Sequence, residues 1–181
     1  SVLVAQYWGK GDVKTIEKVL GISLRISISI GLFFTIVTFL FPDKLMLIFT
    51  NEEAVIREGA IYLKNVCFNY LIISFVMVYL NILRSVERVK ISTFVYLMGL
   101  IVNIIVNAIL IFGLLGFPKL GIQGAAIGTV MAGIVELIIV IYFDRKVNNI
   151  FKLKFKYLIE KDKVIFKDFI NYSLPVIINE L

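Results

Sequence analysis

The sequence predicts an all-α fold: a polytopic membrane helix bundle, supported by composition, two long apolar runs and an uneven distribution of charge. The chain is 60% hydrophobic, only 18% charged, and has a mean hydropathy of +0.95. A soluble core of this size cannot hide that much apolar surface. Ile91 to Leu115 carries no charge, and Ile122 to Phe143 carries only Glu136. At about 1.5 Å per residue each run spans a hydrocarbon core of about 30 Å. The Gly/Pro-containing loop 116–121 joins them into an antiparallel hairpin.

The other elements follow in chain order. Ser1 to Trp8 reads as the tail of a helix ended by Gly9, Lys10 and Gly11, with Asp12 placed to cap the next one. That helix covers 14–41 and stops at Pro42, which cannot continue the hydrogen-bonded ladder. Arg25, about 9 Å inside its apolar portion, is expected to snorkel to the interface or pair with a neighbouring helix. A short connector from Asp43 to Asn51 leads to an amphipathic stretch, Ala54 to Lys64, expected to project beyond the bilayer, and then to a span over 66–83. After the hairpin, 144–168 reads as a hydrophilic connector. Within it, apolar and lysine residues alternate from Phe151 to Tyr157, the pattern of a short strand or an interfacial segment. Residues 169–181 begin another apolar helix. Both ends look cut, so the piece is expected to be internal to a longer protein and not to fold alone.

Charge gives the orientation. If spans alternate sides, fourteen basic residues, from Lys10, Lys14, Lys18, Arg84, Arg88, Lys90 and segment 144–168, share one side. Four, Lys44, Arg57, Lys64 and Lys119, lie on the other. The positive-inside rule makes the richer side cytoplasmic, placing loops 9–13, 84–90 and 144–168 inside and loop 116–121 outside, in the cell membrane. The net charge of +6 is therefore a topology signal and not a nucleic-acid footprint. The chain has no histidine and one cysteine, Cys67. These exclude an intrachain disulfide and, within this span, zinc or haem sites and His-based triads. With no nucleophile motif and no paired acids on one helix face, an enzyme is not expected, nor is a cofactor.

The specific residues lie inside the hairpin. Asn103 and Asn107 are one helical turn apart on one face. Thr129 on the partner helix lies at nearly the same depth, about 10 to 12 Å from the outer end. Their oxygens, with the backbone at Ala125, are hard donors of the kind that replace water around sodium or relay a proton. The competing reading is interhelical gluing, since Gly124, Gly128 and Ala132 at four-residue spacing describe a close helix contact. Glu136 falls on the Thr129 face, about 10 Å from the cytoplasmic end; it is either functional or satisfied by water or Arg84. Glu180 is a second acidic candidate.

Gln6 to Asp12, the asparagine pair and the run from Leu120 to Thr129, with its Gly121, Gly124, Ala125, Ala126 and Gly128, resemble the multidrug and toxic compound extrusion (MATE) family, collinearly over essentially the whole chain. The resemblance implies a twelve-helix, two-lobe transporter that exports cationic or amphiphilic compounds in exchange for sodium ions or protons, monomeric at full length. Residues 1–143 would then be most of one six-helix lobe, from the end of helix 2 to helix 6; 144–168 the inter-lobe connector; and 169–181 the start of helix 7. It also places an ion or proton site ahead of gluing for Asn103, Asn107, Ala125 and Thr129. One branch of the family has an acid where Asn107 stands, and the family's acid on its first helix lies upstream of Ser1, so sodium and protons both stay open. A flippase of lipid-linked precursors shares the wider architecture but calls for more basic residues lining the lobe than Arg25. A non-transporting scaffold is the third reading.

Overall fold

A computed structural model describes residues 2–159 and 163–180, the side chains of 155, 163 and 173–180 excepted. The helices are α1 (Val2–Gly9), α2 (Val13–Leu40), α3 (Pro42–Leu47), α4 (Glu53–Val66), α5 (Asn69–Ser85), α6 (Val89–Phe112), α7 (Ile122–Lys146), α8 (Phe155–Ile159) and α9 (Lys163–Glu180). No strand occurs among the described residues. α2, α6 and α7 are each long and apolar enough to cross a membrane, and α4 with α5 forms a bent pair that passes the same test as one span.

Asp12 caps α2 as its sequence position predicts. Its carboxylate accepts from the Thr15 amide at 3.1 Å and the Thr15 hydroxyl at 2.6 Å. These bonds favour the ionised form and hold the Asp12 carboxyl below its usual range. Pro42 ends α2 as expected, but the connector after it is partly helical. α3 forms there and lays the Met46 side chain against Gly59 of α4.

The helix expected to run from the amphipathic stretch into the span over 66–83 is broken where the two join: α4 and α5 meet at 54° across Cys67 and Phe68, and α5 covers most of that span. Side-chain donors take carbonyls there. Thr35 Oγ1 donates to the Cys67 carbonyl at 3.0 Å from α2, and Cys67 Sγ donates to the Lys64 carbonyl at 3.1 Å. Such competition bends helices, and irregular backbone survives at membrane depth only where its polar groups are re-satisfied. Both halves of the pair pack on α7, with Asn69 and Ile72 meeting Gly133 and Tyr79 meeting Asp144. Gly133 lies about 16 Å from the start of α7, so the break sits near the middle of the span.

The hairpin forms, with α6 against α7 the most extensive helix contact in the chain. α6 stops earlier than the apolar run does. Gly113 adopts a left-handed conformation at φ 70°, where a side chain would be strained, and ends the helix at Phe112 instead of Leu115.

Segment 147–159 is not a loose connector. Residues 151–154 form neither helix nor strand; the Lys152 amide donates to Glu17 Oε1 at 3.0 Å, and Lys154 Nζ contacts Glu17 Oε2 at 2.6 Å. Alternation places Phe151 and Tyr157 in the interior and the lysines outside. Asn148 Nδ2 donates to the Phe151 carbonyl at 2.7 Å and to the Tyr79 hydroxyl at 3.0 Å, while that hydroxyl donates to Asp144 Oδ1 at 2.8 Å. The terminal helix begins at Lys163 instead of Phe169, because its extra turn buries Ile165 in the core. That core, built on Ile16, Leu20, Leu24, Tyr79, Leu80 and Leu83, lies toward the end of the bundle that holds segment 147–159. α6 leaves Leu97, Leu100, Ile101, Ile104 and Ile105 exposed.

Candidate functional site

The hairpin brings together the four residues singled out by spacing. Asn107 Nδ2 donates to Asn103 Oδ1 at 2.9 Å, Asn103 Nδ2 to Thr129 Oγ1 at 3.5 Å, and the Thr129 hydroxyl to the Ala125 carbonyl at 3.0 Å. The four-residue spacing of Asn103 and Asn107 stacks their amides on α6, and the antiparallel crossing sets Thr129 opposite. The chain of donors runs one way and leaves Asn107 Oδ1, fully buried, with no partner. An orphaned acceptor in an apolar setting costs about 1 to 3 kcal/mol, and this oxygen is packed against Gly128.

Small residues hold the helices at this separation. A Cβ on Gly124 would meet the Leu110 backbone, and one on Gly128 would meet Asn107 Oδ1. Ala132 continues the same face and is 7% exposed. Close packing and the polar cluster therefore share one interface, so gluing and ligand roles are not separated by position alone.

Below the cluster an open groove of about 290 Å³ runs between α5, α6 and α7 and takes in Asn103 and Thr129. Glu136 lines it, half-buried, its carboxylate against the α6 backbone at Gly99. The expected pairing with Arg84 is absent: Arg84 donates to the Tyr96 hydroxyl at 3.3 Å and lies over that ring. Arg25 is half-buried and forms no ion pair with another described residue. Glu180 lies outside the residues whose side chains are described.

Asn69, a polar interruption of the 66–83 span whose bland sequence reading is interhelical hydrogen bonding, also lies at the groove. It is 8% exposed, lines the groove, and its Oδ1 rests against Gly133 without a hydrogen-bond partner. The sequence signal for it is an asparagine within a membrane span.

The MatE family model matches residues 1–109. The probable multidrug resistance protein YoeA of Bacillus subtilis is 25% identical over 146 residues, 81% of this chain and 32% of the relative. The probable multidrug resistance protein NorM of Thermotoga maritima is 30% identical over 143 residues, 78% of this chain and 31% of the relative. Among solved structures, an outward-facing multidrug resistance MATE family transporter of the MOP superfamily superposes at a TM-score of 0.83, with 22% identity. It covers 95% of this chain and 37% of that one; at that identity the likeness speaks for the fold. The chain spans about a third of the length of these relatives. A multi-pass plasma-membrane helix bundle whose family model covers more than half of its residues, it belongs to the MatE family.

Proposed function

We propose that the complete protein is a secondary active efflux transporter, not an enzyme, that exports cationic or amphiphilic compounds by antiport with sodium ions or protons. Asn103, Asn107, Thr129 and the Ala125 carbonyl supply oxygens to the coupling ion or its water. The observation that carries this reading is Asn107 Oδ1, buried and unpartnered at the end of the hydrogen-bonded chain. A glue of amides would be expected to close on itself; this chain ends on an unpartnered acceptor held against Gly128. The donor set is all oxygen, which fits a hard monovalent cation or a hydrated proton. The names of the relatives, probable multidrug resistance proteins, support export of drug-like compounds. A third of such a transporter would act as part of one lobe, in a protein expected to be monomeric.

Asn107→Ala and Thr129→Val in the complete protein test the assignment. An interhelical hydrogen bond in a membrane contributes only about 0.6 kcal/mol, so gluing predicts slightly lower stability and near-normal export. A ligand role predicts export reduced about tenfold, since about 1.4 kcal/mol of ion affinity is tenfold. The readout is ion-driven efflux of a fluorescent cationic dye in vesicles across sodium and pH series, with melting curves on the same samples. Unchanged efflux and ion dependence in both variants removes these residues from the mechanism.

A further inference from the structure

On the far side of α5 and α7 from the groove that holds Glu136 lies a second recess, a crevice of about 370 Å³. Its walls are Leu71 and Phe75 of α5 and Leu137 and Ile141 of α7, with Leu153 of the docked segment at one end. Ile73 of the groove and Phe75 of the crevice are two residues apart, which on a helix is a turn of about 200°. The two recesses therefore stand back to back, and the crevice opens away from the Asn103, Asn107 and Thr129 cluster. No described residue of α1, α2, α6 or α9 lines it; α9 packs instead on α1 and α2.

The crevice is polar at one end only. From Leu71 to Tyr79 it follows α5 for about 12 Å, most of one leaflet of a hydrocarbon core of about 30 Å. The Phe75 and Tyr79 rings stack at 6.4 Å between centroids, 9° from parallel, and give it one flat aromatic wall. Asp144 and Arg145 stand at the cytoplasmic end. Asp144 is already satisfied, since its Oδ1 accepts from the Tyr79 hydroxyl at 2.8 Å and from the Leu153 amide at 3.3 Å. Arg145 is exposed and has no ion pair with another described residue. Lys146 beside it and Lys152 beside Leu153 are exposed too. An apolar slot along the span, ending in an unopposed guanidinium at the membrane surface, has the polarity of a phospholipid. The guanidinium fork matches phosphate oxygens, and basic recesses between membrane helices on the cytoplasmic side hold anionic head groups.

We propose that this crevice binds an anionic phospholipid of the cytoplasmic leaflet, with one acyl chain between α5 and α7 against Phe75 and the phosphate on Arg145. The site lies outside the efflux mechanism and does not depend on it, because lipid occupancy is measured without transport.

Native mass spectrometry of the complete protein in detergent, titrated with dioleoyl phosphatidylglycerol or dioleoyl phosphatidylcholine, tests this, since the two lipids share tails and differ in net charge. The first lipid bound is expected to favour phosphatidylglycerol about fivefold, the contribution of one basic residue at an anionic surface. Arg145→Gln should erase that preference, and Ile141→Trp, which fills the slot, should weaken both lipids alike. Lys156→Gln removes an exposed charge from the same face but outside the crevice, and should change neither. No preference in the unmodified protein overturns the site. Equal losses in Arg145→Gln and Lys156→Gln would mean diffuse attraction to a basic face and also overturn it. So does full lipid affinity in a folded Ile141→Trp variant, or displacement of phosphatidylglycerol by inorganic phosphate, which would make the Arg145 end a site for a free anion. Melting curves identify any variant that does not fold; if Ile141→Trp is one, the comparison of Arg145→Gln with Lys156→Gln decides.

Discussion

At the scale of single residues, Gly128 and Asn107 form a unit: the missing Cβ of one is the space taken by the amide oxygen of the other. Gly128→Ala should therefore act on Asn107 and not only on packing. Overpacking alone costs about 1 to 3 kcal/mol, whereas turning the Asn107 amide also removes its bond to Asn103 Oδ1. The expected result is a lower melting temperature together with a changed sodium or pH dependence of efflux. A melting shift with unaltered ion dependence would reduce Gly128 to a spacer. Asn103, Asn107 and Thr129 were legible in the sequence because a four-residue spacing and a depth count need only helix geometry. Asn69 and Gly99 were not, because their partners lie on other helices and no local pattern records which side chain a glycine admits.

Among the elements, the hairpin was legible from its apolar lengths, while the α4–α5 break and the docking of 147–159 were not. Both depend on hydrogen bonds between segments distant in sequence, Thr35 to Cys67 in one case and Glu17 to Lys152 in the other. In the docked segment, the backbone contact carries more than the ion pair. A Cβ on Gly21 would strike the Tyr157 carbonyl, whose backbone cannot yield without moving α8. Lys154, by contrast, is 52% exposed, and its pair with Glu17 faces water. The hydrogen bond to Glu17 raises the Lys154 pKa. Its contribution is thus fully present below the ordinary lysine value of about 10.4 and is lost only as pH rises through the higher folded value. Limited proteolysis of the complete protein should show 147–159 cleaved much faster in Gly21→Ala. In Lys154→Met cleavage should be nearly unchanged, with no pH dependence between about pH 6 and 9. Equal release by both variants would mean that the ion pair holds the segment.

For the whole molecule, the contacts place on one end the elements that the charge count put on one side. Glu17 at the start of α2 meets Lys154, and Tyr79 near the end of α5 meets Asp144 and Asn148. The α1–α2 turn, the α5–α6 turn and 147–159 therefore share a face, and this is the face rich in Lys and Arg. Loop 116–121, carrying Lys119, lies at the far ends of α6 and α7. Structure alone does not say which face meets the cytoplasm; the charge asymmetry does, because basic residues near span ends are retained inside during insertion. Single cysteines at Lys119 and Lys156 turn this into a measurement. Lys156 is exposed and, unlike Lys154, has no ion pair with Glu17 to disturb. Cys67 is replaced by serine, which keeps a donor for the Lys64 carbonyl. In intact cells an impermeant thiol reagent should label position 119 and spare 156; in inverted vesicles the pattern should reverse. Labelling of both positions from one side would break the alternation of spans on which the orientation of the groove, and the direction of export through it, depends.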